Sequence, residues 1–249
     1  MLIAARESFA AAARRGWKNP YVTNGLLAMW DGEWNAGGGV HDAAATTWKN
    51  LMGDTRLDLD ISGMVVGANY IDTNRAASHT QAVLQQTDFT IEVVAQSVKD
   101  TYWADIEYFL GYGSAGSMPL GFGPTGSWNT LLFYRYGSTA GKSDSSSYGS
   151  MAELTSLNGW SGRSLMNGTR AVYKNGAQLA NSTWVPRQGS YSASSQNWLG
   201  IGVKLGRNNT VSSNTNAMKL YNLRYYARAL TAAEIAANYA IDKERFNLP

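Results

Sequence analysis

Residues 30–48 read WDGEWNAGGGVHDAAATTW and gather Asp31, Glu33, Trp34, Asn35, His41 and Asp42 within a short span. A tryptophan among amides and carboxylates suits a sugar, whose apolar face stacks on the ring while polar groups fix its hydroxyls. Hard oxygen donors suit a divalent cation instead. Three consecutive glycines, Gly37, Gly38 and Gly39, argue against catalysis, because a flexible run positions side chains poorly. The stretch is expected to be a connection at a sheet edge, pinned by its Asn, His and Asp. A rim site using Asp31, Trp34, Asn35 and Asp42 is the alternative.

Other candidate groups are scattered. Trp103, Trp128, Trp160 and Trp184 lie near expected loops and join Trp34 and Asn35 as candidate ligand-binding residues. His41 and His79 are in no zinc spacing, and the absence of cysteine excludes disulfides and thiolate metal sites. GYGSAG (111–116) and GFGPTG (121–126) satisfy a dinucleotide-binding spelling, but strand-like sequence and Pro124 follow where a helix is required. Both read as hairpin turns. The net charge is +3, and the one local basic cluster is Arg14 and Arg15 with Lys18 nearby, so nucleic acid is a poor partner. No window is long and apolar enough to span a bilayer.

These side chains must be positioned by an all-β framework. Of 249 residues, 44% are apolar and 12% aromatic while only 16% are charged, which favours a β-sandwich over a helical bundle. Residues 2–15 are alanine-rich, with Leu2, Phe9 and Ala13 on one face, and read as a short amphipathic helix. That helix, 1–18, is expected to be a separate arm ahead of a single domain, 19–249. Its charges follow its apolar run, so it is not read as a secretory signal. Strands are expected at 25–31, 64–71, 89–96, 106–112, 118–122, 129–136, 198–205 and 218–226. The 89–96 strand alternates and should bury one face. Residues 170–179 form the clearest hairpin, turning at Asn175-Gly176. Residues 137–149 are small and polar, and read as a solvated loop. A capping box, Thr231 with Glu234, opens a closing helix whose Ile235 and Tyr239 share one face.

Three phrases carry a resemblance. Tyr226-Ala227-Arg228-Ala229-Leu230 followed by Thr231 to Ile235 is similar to the strand-then-helix close of laminin-G-like domains. VYKNG (172–176) and GLLAMWD (25–31) are similar to that family's hairpin and opening strand. The chain thus resembles a laminin-G-like domain of the concanavalin A-like lectin/glucanase superfamily, and 30–48 resembles a loop of its bacterial and phage-borne members. The resemblance implies a jelly-roll sandwich of two antiparallel sheets with short N-terminal and C-terminal helices. It also implies calcium as the plausible cofactor, held by Asp31, Asn35 and Asp42, or by Asp58 and Asp60. Glucanases of the superfamily carry E-x-D-x-x-E, with two carboxylates flanking the scissile bond. Here Asp105 and Glu107 share a strand face, but Trp103 stands where the first glutamate should be.

The expectation is therefore a non-enzymatic lectin-like module for adhesion or glycan binding, with cell-surface glycans as partners. A phage virion surface role is the leading context, the N-terminal helix docking on capsid or tail proteins. The alternatives are a trimmed bacterial surface or secreted glycan-binding domain, and a glucanase-like glycoside hydrolase.

Overall fold

The structure, a computed structural model, describes residues 18–73, 88–97, 156–164, 169–183 and 217–249, with further strand segments between 78 and 212. Residues 1–17 of the expected N-terminal helix lie outside these. In chain order the first strands are β1 (Leu26–Asp31), β2 (Thr47–Trp48), β3 (Leu59–Asp60), β4 (Val65–Val66), β5 (Ile71–Asp72), β6 (Ser78–Thr80), β7 (Phe89–Ser97), β8 (Ile106–Tyr108), β9 (Leu110–Ser114) and β10 (Ser117–Thr125). They continue as β11 (Thr130–Tyr136), β12 (Ser143–Tyr148), β13 (Asn158–Ser164), β14 (Thr169–Lys174), β15 (Ala177–Thr183), β16 (Trp198–Ile201), β17 (Val203–Leu205), β18 (Val211–Ser212) and β19 (Met218–Tyr226). The chain closes with helix α1 (Ala232–Phe246).

The strands form two large antiparallel sheets, as expected of an all-β jelly-roll sandwich. The first runs β15-β14-β13-β7-β19-β5-β4, with β1 also paired to β19. The second runs β18-β17-β8-β10-β9-β16-β6, with β11 on β10 and β12 on β11. Two sequence readings are corrected here. GFGPTG lies mostly within β10, not in a turn, and the polar stretch at 137–149 contains β12, paired residue for residue with β11. Small polar side chains suit a strand when a partner edge supplies the ladder, so polarity alone misled.

The inner face of the first sheet fills the core with Ala28, Trp30, Ile91, Val93, Ala95, Trp160, Val172, Leu223 and Tyr225; Ile201 comes from the second sheet. Burying each large side chain contributes roughly 1.5–3 kcal/mol. The indole N–H groups of Trp30 and Trp48 are not orphaned: they donate to the carbonyls of Leu57 (2.9 Å) and Asp31 (2.8 Å).

β7 departs from its sequence pattern. All seven residues from Phe89 to Ala95 are buried, on both faces, because α1 lies across the outer side of the sheet. The same cover explains why β19 is buried nearly throughout. A register shift between Leu220 and Asn222 is a β-bulge. Adding one residue shifts the alternation, so Tyr221 and Asn222 both join the helix-facing side with Arg224 and Tyr226 beyond them. The Asn175-Gly176 turn is as expected, with φ of +51° and +75°. The capping box is formed on both sides, Thr231 with Glu234.

Candidate functional site

The 30–48 stretch begins at the buried end of β1. Asp31 Oδ1 accepts the backbone N–H groups of Glu33 (3.0 Å) and Trp34 (3.3 Å), which turns the chain out of the strand. Its Oδ2 accepts Asn222 Nδ2 at 2.6 Å and Arg245 Nη1 at 2.7 Å. Arg245 Nη2 reaches Asp31 Oδ1 at 3.0 Å and Glu33 Oε2 at 2.7 Å, and the guanidinium lies 3.8 Å from the centre of the Trp34 ring. Burial pushes the Asp31 carboxyl above its ordinary range, against the opposing pull of Arg245 and Asn222. Further on, Asn35 closes the loop on itself: its amide donates to the Asp42 carbonyl (2.8 Å) and accepts the Asp42 N–H (2.9 Å). Gly37 and Gly39, at φ +140° and +77°, supply backbone angles that other residues resist.

In this geometry the residues expected to hold calcium have partners within the protein. Asp31 aims into the protein at Arg245 and Asn222, Asn35 is spent on the Asp42 backbone, and Asp42 Oδ1 accepts the Ala44 N–H at 2.9 Å. In the second set, Asp58 accepts Lys49 Nζ (2.7 Å) and the Asn50 N–H (2.8 Å), and Asp60 accepts the Ser62 N–H (2.9 Å). Among the described residues no group of three or more His, Asp and Glu side chains could hold a metal ion.

Behind the loop lies a polar cluster that the sequence reading missed. Arg224 Nε donates to Glu92 Oε2 at 2.9 Å, while Nη1 and Nη2 donate to the two carboxylate oxygens of Asp242 at 2.9 and 2.5 Å. Asn238 donates to Glu92 Oε2 (2.7 Å) and to the Tyr226 hydroxyl (2.9 Å). The Tyr21 hydroxyl donates to Asp242 Oδ1 at 2.7 Å and accepts Arg245 Nη1 at 2.7 Å, and the Arg224 guanidinium lies 4.0 Å from the Tyr21 ring centre. Arg224, Glu92, Asp242, Asn238 and Tyr21 are all buried. Burial raises the Glu92 carboxyl, with Arg224 opposing it. For Arg224 burial works against the charge, but Asp242 and Glu92 outweigh it and hold the guanidinium firmly protonated. Sealed under α1, this cluster ties helix, sheet and opening loop together and offers nothing to a ligand.

The other candidates divide. Trp34 is half-buried at the loop, beside exposed Glu33, His41 and Asp42. Trp160 is 1% exposed and faces the core from the middle of the first sheet, so it cannot stack on a ligand as expected. Trp103, Trp128, Trp184 and Asp105 lie outside the described residues. Glu107 lies in β8, opposite Lys204 of β17.

Fold and cluster together define a jelly-roll β-sandwich closed by a helix ionically clamped to one sheet. No family model and no curated protein matches the sequence. Solved structures do match in fold. The Trypanosoma rangeli sialidase is similar over 96% of this chain and 38% of its own, with a TM-score of 0.64 and 15% identity. The same enzyme in complex with sialic acid gives 0.62 and 16%, again over 96% and 38%. The botulinum neurotoxin serotype D binding domain is similar over 87% of this chain and 51% of its own, with a TM-score of 0.60 and 9% identity. The chain thus spans well under half of the sialidase. The expectation of a non-enzyme is corrected by these matches: the structures sharing its fold include those of a sialidase, so the sandwich does not set the chain apart from glycoside hydrolases.

Proposed function

We propose that this chain is a glycan-binding sandwich of a surface or secreted protein. The observation that carries the reading is the likeness, over nearly the whole chain, to a sialidase crystallised with sialic acid, supported by the likeness to a neurotoxin binding domain. The exposed polar groups around half-buried Trp34 supply the mixture of ring and hydroxyl-fixing side chains that sugar recognition uses. The N-terminal segment 1–18 serves as the arm that attaches the module to whatever carries it. A glycan array on the full chain tests the reading, run with calcium and with chelator. Saturable binding to a defined set of glycans supports it; no binding in either condition overturns it.

The sialidase likeness also favours a second reading, that the chain contributes to glycoside hydrolysis. Release of a fluorophore from a sialoside and from neutral glycosides tests this. Turnover that Glu107→Gln abolishes would place the chemistry on β8.

A further inference from the structure

Side chains are described for five arginines. Four have carboxylate partners: Arg56 with Asp54, Arg224 with Glu92 and Asp242, Arg228 with Glu234, and Arg245 with Asp31 and Glu33. Arg163 has none among the described residues. It stands on β13 opposite Thr90 of β7 and Ala171 of β14, on the helix-covered side of the first sheet. Its Nη1 donates to the Leu230 carbonyl at 2.8 Å, just ahead of α1, and its guanidinium lies 5.6 Å from the Tyr173 ring centre. Its Nε is the one buried side-chain nitrogen or oxygen, among the described residues, with no hydrogen-bond partner.

An enclosed N–H without an acceptor is costly, and a guanidinium cannot relieve the cost by losing its proton. The other four arginines whose side chains are described each meet a carboxylate. The surroundings of Arg163 supply other groups. The Tyr173 hydroxyl donates to Gln178 Oε1 at 3.1 Å, and Ala177, Gln178 and Leu179 of edge strand β15 are exposed. Cation, ring and amide therefore follow one another from β13 through β14 to the edge strand β15, Arg163 beside the buried Tyr173 ring and Tyr173 bonded to Gln178.

We infer that Arg163 is the anchor of a subsite for a carboxylate-bearing saccharide, a uronate or a sialate. The ligand's carboxylate takes the Nε–Nη2 edge, a bidentate geometry for which the guanidinium fork is suited. Binding requires the side chain to rotate so that Nε, enclosed in this structure, turns to the ligand, while exposed Gln178 meets the sugar hydroxyls. The inference rests on the glycan-binding reading and names its ligand class.

The test uses the full chain. The Arg163 Nε–H resonance is followed by nitrogen-edited NMR during titration with glucuronate, N-acetylneuraminate, glucose and acetate. It should shift saturably with one or both acidic sugars, which also tells the two sources apart, and stay fixed with glucose. Acidic oligosaccharides should bind at least about tenfold more weakly to Arg163→Gln and Arg163→Lys, both still folded by circular dichroism, while neutral glycans bind as before. The inference alone is overturned if neutral glycans bind but a carboxylate adds nothing, if the variants keep the acidic preference, or if acetate binds as tightly as the acidic sugars. If no saccharide of either kind binds, the glycan-binding reading falls with it.

Discussion

Asp242 of α1 accepts both terminal nitrogens of Arg224 on β19, at 2.9 and 2.5 Å, and both side chains are buried. Such a pair adds little over a well-packed apolar substitute, but removing Asp242 is costly because Arg224, still paired with Glu92, is left with an enclosed Nη2 that has lost its acceptor. Asp242→Ala should therefore lower stability by about 1–3 kcal/mol, read from urea unfolding. Arg224→Met combined with Asp242→Leu should not restore it, because Glu92 would remain buried without its cation. Adding Glu92→Gln should recover part of the loss. A cost below about 1 kcal/mol for Asp242→Ala would contradict a closed ion cluster.

The outline of the sandwich was legible because its signals are local. Asn175-Gly176 announces a primed turn, and Thr231 with Glu234 announces a helix start, whatever surrounds them. The ion cluster was illegible because its members are far apart in sequence: Glu92 and Arg224 meet across two strands, and Asp242 joins from the helix. Glu92 read as the solvent side of an alternating strand, which it would be without α1. Two clues were present. Arg224 sits between Leu223 and Tyr225 in a mostly apolar strand, and Asp242 falls seven residues from Ile235, on the same helical face. The bulge that aligns Asn222 with this set leaves no sequence trace. The rim loop was legible as a connection, but not the direction in which Asp31 points.

The start of α1 supplies a pH test. Glu234 accepts Arg228 Nη1 and Nη2 at 2.9 and 2.6 Å and the Thr231 N–H at 2.8 Å. The hydrogen bonds from Arg228, foremost, and from Thr231 lower its carboxyl to about 2 despite partial burial. A depressed native value means the unfolded chain binds more protons between that value and the ordinary one. The stabilisation is therefore complete above the ordinary carboxylate range and is lost as pH falls towards about 2. The difference in urea midpoint between wild type and Glu234→Gln should be greatest near neutrality and shrink steadily through that acid window. A difference that does not change with pH would show that the charge is immaterial.

Gly176 couples the β14–β15 hairpin to the helix. A Cβ there would lie 2.8 Å from Tyr239 Cδ1, on a backbone already at φ +75°. Gly176→Ala should cost about 1–2 kcal/mol for the left-handed backbone, plus the clash. In a Tyr239→Ala background only the backbone part should remain. A double-mutant cycle on thermal unfolding checks this: strict additivity would mean that the ring simply swings aside.

Arg245 holds the 30–48 loop by three means at once: a two-pronged grip on Asp31, a contact to Glu33, and a stack 3.8 Å from the Trp34 ring centre. Lysine keeps the charge but has neither the fork nor the flat face. Arg245→Lys should therefore leave the sandwich folded and release the loop locally, because hydrogen bonds to Asp31 worth roughly 1.5–3 kcal/mol are weakened. Hydrogen exchange reads this directly. The amides of Glu33 and Trp34, both donated to Asp31, should exchange at least tenfold faster than in wild type, while those of β7 and β19 keep their protection. Equal acceleration across the sheet would mean that Arg245 supports the whole fold. No acceleration would mean that Asn222, 2.6 Å from Asp31, is enough to hold the strand end by itself.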